Sequence, residues 1–236
     1  MLTICTKTIN VPPLDQQTVH IFSLNLSIKN DYYEEFKKKL SVDEINRTSR
    51  FYFAKDERAF VLRRGLLRVI LAHYLGSTTD FIFSYEGKNK PYLKDSSISF
   101  NVSFSRNRLL IAVTLNAQLG IDIEFMDKTS DFEQIARNFF TPTESNQILM
   151  LSAQQRLLAF YACWTRKEAY IKALAEGLYK PLKSFQVSVG EDAELVWDQD
   201  NANFNQWRLI NVHVDENFSA TLAINRANVQ VLYFQC

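Results

Sequence analysis

The chain contains one long amphipathic helical pattern on each side of residue 116, and short alternating segments typical of strands surround both. The first pattern, DERAFVLRRGLLRVILAHYLG, is expected to have Asp56 as its N-cap and Gly76 as its C-terminal stop. The second runs from about residue 154 to 175 and is expected to end near Gly177. Because strand, long helix and strands occur in this order twice, we predict an α+β fold. It is an α/β pseudo-dimer of two similar halves, each with a long helix packed on an antiparallel sheet.

Local patterns divide the chain further. The N-terminal half is predicted to cover 1–115 and the C-terminal half 116–236, packed together as one unit. Two apolar segments, 109–115 and 119–125, flank a three-residue turn and are predicted to form a hairpin. The sequence TPTE, which begins at Thr141, has a capping Thr, a Pro at the first helical position and a Glu three residues after the cap, so a helix should begin there.

Composition excludes several classes of protein. Of 236 residues, 47% are apolar, and 27 basic against 26 acidic side chains leave a formal charge of +1. A chain of this kind can bury a full core, and its charge argues against a general nucleic-acid or membrane-surface binder. Neither a secretory leader nor an apolar run long enough to span a membrane is recognisable. The widely spaced Cys5, Cys163 and Cys236 indicate neither zinc nor disulfides. We therefore expect a cytoplasmic protein.

An acidic pair lies in a strand-like segment. Asp122 and Glu124 are two residues apart, so both side chains should point to one face while Ile121 and Ile123 point to the other. Two adjacent carboxylates repel each other unless a cation lies between them, and hard oxygen ligands suit Mg²⁺. The alternative is an ordinary exposed strand face, and this pair alone does not decide between the two.

A third acidic residue, Glu168, belongs to the second long helix. Glu168 and Lys172 are one turn apart on the same face, and Trp164 lies one turn before them. Such a pair is commonly a surface ion pair. The large apolar Trp164 suggests instead that this face is partly buried, where Glu and Lys would require a partner or a function. Periodicity leaves both interpretations open.

Basic residues are concentrated in the first half. Most of them should be solvated helix faces, but Arg64 and Lys90 adjoin apolar residues and could bind phosphate. The three histidines, His20, His73 and His213, are interpreted as packing residues. The chain has no G-x-S-x-G, P-loop or G-x-G-x-x-G motif, which disfavours hydrolase triads and nucleotide-binding folds that use these motifs.

Taken in order, these segments resemble the Sfp-type 4′-phosphopantetheinyl transferases. The family's signature motifs, G-[IV]-D-[IV]-E and W-x-x-K-E-[AS]-x-x-K, are complete here, and the resemblance spans roughly residues 40–190. The matching stretches are RFYFAKDERAFVLRRGLLRVILAHYLG (50–76), KNKPYL (88–93), FNVSFS (100–105), LGIDIE (119–124), FFTPTE (139–144) and WTRKEAYIKALAEGL (164–178).

The resemblance implies the 4′-phosphopantetheinyl transferase fold with the active site between the two halves. It also implies an enzyme that transfers the phosphopantetheine arm of coenzyme A to a serine of an apo acyl or peptidyl carrier protein and releases adenosine 3′,5′-bisphosphate. Coenzyme A is then a substrate and Mg²⁺ the cofactor. Neither nucleic acid nor a membrane is expected as a partner. Because one chain supplies both sides of the site, a monomer is expected.

Residue roles follow from the same resemblance, motif by motif. Asp122, Glu124 and Glu168 would hold Mg²⁺ at the pyrophosphate of coenzyme A. Glu168 could also act as the base toward the carrier serine, directly or through water, and Lys172 would neutralise phosphate charge. The residues implied in binding coenzyme A are Arg47, Arg64, Lys90, Ser103 and Lys172.

One departure from the family pattern affects this site. The family strand usually reads F-N-x-S-H-[ST], with a histidine that contacts a phosphate of coenzyme A, but Phe104 occupies that position here. Loss of this donor predicts weaker binding of coenzyme A without loss of the chemistry. Two other functions stay open: a degenerate relative that binds coenzyme A or a carrier protein without transfer, and a Mg²⁺-dependent phosphodiesterase or nuclease. The second would not explain the segment from Trp164 to Lys172.

Overall fold

The computed structural model describes residues 2–4, 7–27, 32–76, 79–86, 90–175 and 180–235. The helices in this part of the chain are α1 (Tyr32–Lys37), α2 (Val42–Thr48), α3 (Ala54–Leu75), α4 (Phe132–Phe139), α5 (Pro142–Leu149) and α6 (Ala153–Leu174). The strands are β1 (Leu2–Ile4), β2 (Lys7–Ile9), β3 (Thr18–Asn25), β4 (Phe83–Glu86), β5 (Lys90–Leu93), β6 (Ile98–Ser105), β7 (Arg108–Leu115), β8 (Leu119–Phe125), β9 (Phe185–Val187), β10 (Leu195–Asp198), β11 (Arg208–Asn211), β12 (Phe218–Ile224) and β13 (Gln230–Gln235).

Two sheets and two long helices form the framework. The first sheet has the order β13-β3-β7-β6, and apolar residues of α3 pack against it in one buried cluster. The second sheet has the order β11-β12-β8, and α6 packs on β8 and β12. On its other side α6 contacts α4, α5 and β9, with Phe140, Ile148 and Phe185 in the core. The predicted α+β architecture, with one long helix on a sheet in each half, is confirmed.

The two sheets face each other across a third apolar cluster. Val19, Ile21 and Leu110 come from the first sheet, and Ile121 and Leu222 come from the second; all five are fully buried. The last strand extends this connection, because β13 follows the second sheet in sequence but pairs parallel with β3 of the first. The division at residues 115 and 116 stays a prediction.

The predicted hairpin between 109–115 and 119–125 is wrong. Although β7 and β8 are joined by three residues, β7 pairs antiparallel with β6 and β3, and β8 pairs antiparallel with β12. The turn therefore carries the chain from one sheet to the other. It begins with Asn116 at φ 48°, a left-handed conformation that Asn tolerates better than most residues.

The ends of the long helices agree with the sequence patterns in part. Helix α3 is capped by Gly76 at φ 59°, as predicted, but its N-cap is Phe53, and Asp56 lies within the first turn. Asp56 can still favour the helix there through the dipole of the first turn. Helix α6 ends at Ala175 at φ 59°, and Gly177 lies outside the described residues. Thr141 caps α5 as predicted, with a complete capping box to Glu144.

The cysteines and the apolar character of the helices can also be compared with the sequence patterns. Cys163 is a buried free thiol, whereas Cys5 and Cys236 lie outside the described residues. Across the described ranges, no helix is both long and apolar enough to cross a membrane.

Candidate functional site

The acidic pair on β8 faces α6. Ile121 and Ile123 are fully buried between the sheets, so Asp122 and Glu124 point to the opposite face, as their spacing predicts. Asp122 is buried, whereas Glu124 is half-buried. Gly120 allows this close contact, because a Cβ at that position would overlap the backbone oxygen of Ala169 and the backbone nitrogen of Ala173 in α6. A strand with a side chain at residue 120 could not approach the helix so closely.

The helix supplies the two residues opposite this pair. Lys172 Nζ donates hydrogen bonds to Asp122 Oδ1 at 2.5 Å and to Ser103 Oγ at 2.9 Å. The lysine thus connects α6, β8 and β6 rather than forming a surface pair with Glu168. Glu168 lies one turn before it and is half-buried. Its carboxylate receives no hydrogen bond from any side chain or backbone group in the described residues, so it is available to a ligand or a proton.

Strand β6 holds β8 in place through side chains. Ser103 Oγ accepts from the backbone nitrogen of Ile123 and donates to Asp122 Oδ1, at 3.3 and 2.9 Å. Ser105 Oγ repeats the arrangement, accepting from Phe125 and donating to Glu124 Oε2, both at 3.0 Å. Asn101 Oδ1 accepts from the nitrogen of Ile121 at 2.9 Å. Three alternate side chains of β6, Asn101, Ser103 and Ser105, therefore accept from backbone N–H groups of β8, and the two serines also orient the acidic pair.

The electrostatics of this site favour a positively charged ligand. Burial raises the pKa of the Glu124 carboxyl, and the charge of Asp122 raises it further, while the hydrogen bond from Ser105 opposes both. Burial and Asp122 also raise the pKa of Glu168, with Lys172 opposing them. Three carboxylates near one another are therefore costly to ionise together when only one lysine neutralises them.

The donor set fits a divalent cation, although the carboxylates are not gathered around a single point. Asp122 Oδ2 is buried and has no hydrogen-bond partner, so one oxygen of the buried acid is left for a ligand. Within the described ranges, no group of three or more His, Cys, Asp or Glu side chains is close enough to hold a metal ion as placed. The half-buried side chains of Glu124 and Glu168 would have to move to complete such a site.

Lys90 joins the first half to this site. Its Nζ donates to the backbone oxygens of Leu119 and Ala173, at 2.9 and 3.2 Å. The ammonium thus lies where β8 begins and α6 ends, a position at which the helix dipole favours a cation. Its role as a phosphate contact stays a prediction.

Arg47 and Arg64 are brought together at a second location. Both line a cavity of about 820 Å³, together with Asp43, Arg50, Phe51 and Tyr85. Arg64 Nε lies 3.2 Å from Glu44 Oε1, while its Nη1 is buried without a hydrogen-bond partner. Burial lowers the pKa of Arg64, with Glu44 opposing this change. A cavity with three arginines and one unsatisfied N–H group is suited to an anionic ligand.

The hairpin of β4 and β5 connects the two locations. Tyr85, which lines the arginine cavity, pairs with Pro91, the neighbour of Lys90. One short hairpin therefore extends from the arginine cavity to the junction of β8 and α6.

Sequence reasoning missed several residues of this site. Asn101 and Ser105 could have been recognised from the sequence, because polar residues at every second position of FNVSFS indicate one polar face of the strand. Arg50 was recognised only as one basic residue among many, and Tyr85 carried no signal. Gly120 could be singled out only because it belongs to a signature motif. Its close contact with α6 could not be predicted, because that helix is distant in sequence.

Another pair from the signature segments is structural. Lys167, in the same motif as Glu168, is fully buried and lies 2.9 Å from Glu144 Oε1. It also donates to the backbone oxygens of Leu182 and Phe185, both at 2.8 Å. Glu144 is the capping-box residue of α5, so this ion pair fastens α5 to α6 behind the site. Its hydrogen bonds offset the cost of burying both charges.

Comparison with known proteins identifies relatives along most of the chain. Residues 118–223 match the family described as the 4′-phosphopantetheinyl transferase superfamily. The 4′-phosphopantetheinyl transferase HetI of Nostoc sp. is 36% identical over 213 residues, which cover 87% of each chain. The transferase Sfp of Bacillus subtilis is 33% identical, covering 69% of this chain and 72% of its own. The transferase psf-1 of Bacillus pumilus is 32% identical, covering 74% and 76%.

One solved structure was matched to part of the chain. The holo-[acyl-carrier-protein] synthase AcpS of Thermotoga maritima covers 45% of this chain and 61% of its own, at 20% identity and a TM-score of 0.36. The family assignment comes from the sequence relatives, and the residues that match the family model, 118–223, include both signature motifs, one on β8 and one on α6. On that basis the chain belongs to the 4′-phosphopantetheinyl transferase superfamily.

Proposed function

We propose that this phosphopantetheinyl transferase transfers the 4′-phosphopantetheine arm of coenzyme A to a serine of an apo acyl or peptidyl carrier protein, with Mg²⁺ as cofactor. The observation that carries the proposal is the meeting of β8 and α6, where Asp122, Lys172 and Glu168 face one another. Family membership defines the reaction, and this geometry supplies groups suited to it.

The residues proposed to hold the cation are Asp122, Glu124 and Glu168. Asp122 Oδ2 is the buried oxygen without a partner, and burial together with the charge of Asp122 raises the pKa of both glutamates, whose ionised forms a bound cation would stabilise. When bound, Mg²⁺ would neutralise the pyrophosphate and stabilise the charge that develops on it. Ser103 and Ser105 orient the two carboxylates of β8 through hydrogen bonds of 2.9 and 3.0 Å.

The proposed transfer forms one bond and breaks one. The serine oxygen attacks the phosphorus that bears the pantetheine arm, and the bond from that phosphorus to the bridging oxygen breaks. Adenosine 3′,5′-bisphosphate leaves with the electron pair. Glu168 accepts the serine proton, directly or through water, and its raised pKa brings it closer to the operating pH of a general base. Lys172 is placed beside Asp122 to neutralise phosphate charge on the departing group.

The residues proposed to bind coenzyme A lie on the first half and its border. Arg47 and Arg64 are supported by their shared cavity, which would take the nucleotide end. Lys90 and Ser103 are supported by their position beside the junction of β8 and α6, although each already contacts protein groups there. Since one chain supplies both sides of the site, we further propose a monomer. Cytoplasmic location stays a prediction from the sequence.

The test is transfer to a panel of apo carrier proteins, read by intact mass in the presence of coenzyme A and Mg²⁺. We expect the phosphopantetheine adduct on at least one carrier, its loss with EDTA, and recovery when Mg²⁺ is restored. Glu168→Gln should slow transfer by about 10²–10⁴-fold, the range for loss of a general base. Glu194→Gln, a change of the same kind at an exposed position, should leave the rate unchanged.

Three results would contradict the proposal. Binding of coenzyme A without an adduct on any carrier would identify a binding relative that does not catalyse transfer. Transfer that persists in EDTA would remove Mg²⁺ from the mechanism. Hydrolysis of nucleic acid by the same preparation, lost in Glu168→Gln, would favour the phosphodiesterase alternative.

A further inference from the structure

An arginine that no sequence motif identifies is stacked on the aromatic ring at position 104. The guanidinium carbon of Arg63, on α3, lies 3.4 Å from the centroid of the Phe104 ring on β6. Among the described residues, neither a hydrogen bond nor an ion pair engages this guanidinium. Stacking on a ring fixes the plane of a guanidinium while its N–H groups, which lie in that plane, stay available to a ligand.

The direction of the Phe104 side chain places Arg63 on the face of β6 opposite to the acidic pair. Ser103 and Ser105 point toward β8 and the acidic pair, so Phe104, which lies between them, points to the opposite face and toward α3. Phe104 is 49% exposed, so the stacked pair lies at the surface of the site and not in the core. Arg63 is therefore separated from the carboxylates by the strand itself.

Arg63 is instead electrostatically coupled to the arginine cavity. Burial lowers the pKa of Arg63 to about 10, and the charges of Arg47 and Arg64 contribute to that change, with Asp56 opposing it. At neutral pH the guanidinium is still protonated. Three mutually repelling cations, one of which (Arg64) has a buried N–H group without a partner, gain from binding a compact dianion, because one ligand offsets the repulsion and pairs that donor.

We propose that Arg63 binds the 3′-phosphate of coenzyme A and that Phe104 is the positioning residue that holds its guanidinium. This rests on the proposed function, since it assigns a group of that substrate. The arrangement supplies a phosphate donor from α3 at the place where the histidine of the family strand is absent. With Phe104 in place of the histidine, the phosphate donor is therefore replaced by Arg63 and is not lost.

The experiment compares coenzyme A with dephospho-coenzyme A, which lacks only the 3′-phosphate. Titration calorimetry in Mg²⁺ without carrier protein gives the dissociation constant of each. Wild type should bind coenzyme A more tightly than dephospho-coenzyme A. Arg63→Gln should weaken coenzyme A by about tenfold to a hundredfold, the cost of losing a hydrogen bond to a charged group, and leave dephospho-coenzyme A nearly unchanged. Arg58→Gln removes the same charge from an exposed position of α3 and should change neither constant.

Variants at position 104 separate positioning from direct contact. Phe104→Ala should weaken coenzyme A selectively, whereas Phe104→Tyr keeps an aromatic face and should restore the wild-type preference. In Arg63→Gln, the further change Phe104→Ala should have almost no added effect, because the ring acts through the arginine. In transfer assays Arg63→Gln should raise KM for coenzyme A and leave kcat close to wild type. Circular dichroism would verify that each variant is folded.

The outcomes distinguish this inference from the function on which it rests. If wild type prefers coenzyme A and Arg63→Gln keeps that preference in full, the assignment of Arg63 is wrong while the proposed function stands. If wild type binds both ligands equally, no group recognises the 3′-phosphate and the inference fails. If wild type neither binds coenzyme A nor modifies a carrier, the proposed function fails and the inference fails with it.

Discussion

A fully buried histidine lies in the first sheet with one ring nitrogen unpaired. His20 Nδ1 is 2.7 Å from the hydroxyl of Tyr74, while Nε2 is buried without a hydrogen-bond partner. Phe234 packs against the ring edge-on. Burial lowers the pKa of His20 to about 4. The residue therefore behaves as a packing residue, as its sequence context suggests, but one that is sensitive to acid.

We expect His20 to make the protein less stable below neutral pH. Between about pH 6.5, the ordinary pKa of histidine, and pH 4, the unfolded chain binds a proton that the folded chain does not. The free energy of unfolding should fall as the pH is lowered through this window, by about 3 kcal/mol in total. His20→Asn keeps an acceptor for Tyr74 but cannot gain charge. Urea unfolding from pH 7.5 to 4.5 should show a smaller loss of unfolding free energy for the variant than for wild type. An equal dependence of this free energy on pH in both proteins would contradict the prediction.

At the scale of elements, the site depends on how closely β8 approaches α6. The strand carries Asp122 and the helix carries Glu168 and Lys172, so their spacing is set by the packing of two elements. Gly120 is the point at which that packing leaves no room for a side chain.

Gly120→Ala should therefore damage both stability and activity. The added Cβ would overlap backbone atoms of Ala169 and Ala173, which cannot rotate away as a side chain could. We expect a loss of about 1–3 kcal/mol in the free energy of unfolding, typical of an overpacked core, and slower transfer as β8 and α6 separate. Gly190→Ala is the matched control, because a Cβ there meets nothing within 4 Å. Equal stability of the two variants would show that the helix can shift at little cost.

Sequence patterns predicted the elements better than the contacts between them. Alternation and capping gave the strands, α3 and the start of α5, because these signals are local. The hairpin of β7 and β8 failed because strand pairing is decided by distant segments: the partner of β8 is β12, nearly a hundred residues later. Similarly, motifs identified Asp122 and Lys172, whereas Arg63 was only one of several basic residues in the first half, because its contact with the Phe104 ring is set by tertiary packing.

Noncovalent contacts connect the two halves of the molecule, in addition to the chain that links them. An apolar cluster lies between the sheets, the side chains of β6 bind β8, and β13 extends the first sheet from the end of the second. With these connections, the halves should unfold together and not one after the other.

Phe234→Ala tests whether the two halves unfold together. Phe234 stacks on Phe22 with ring centroids 5.0 Å apart, so its loss weakens the first sheet. All three tryptophans, at 164, 197 and 207, belong to the second half. We expect the tryptophan fluorescence transition in urea to move to lower concentration by the same amount as the far-ultraviolet circular dichroism. The half-exposed Tyr233→Ala should move both much less. An unshifted fluorescence transition in Phe234→Ala would show that the halves unfold separately.

The parallel pairing of β13 with β3 also has a consequence for biosynthesis. Gln230 pairs with Thr18, so a ribosome must add about two hundred residues before β3 meets its last neighbour. Until then one side of β3 exposes unpaired N–H and C=O groups, to which the strand of another nascent chain could pair. Such long-range closure is slow compared with helix formation. The first half, although translated first, is therefore completed last, and that edge of β3 stays open to such pairing until β13 has emerged.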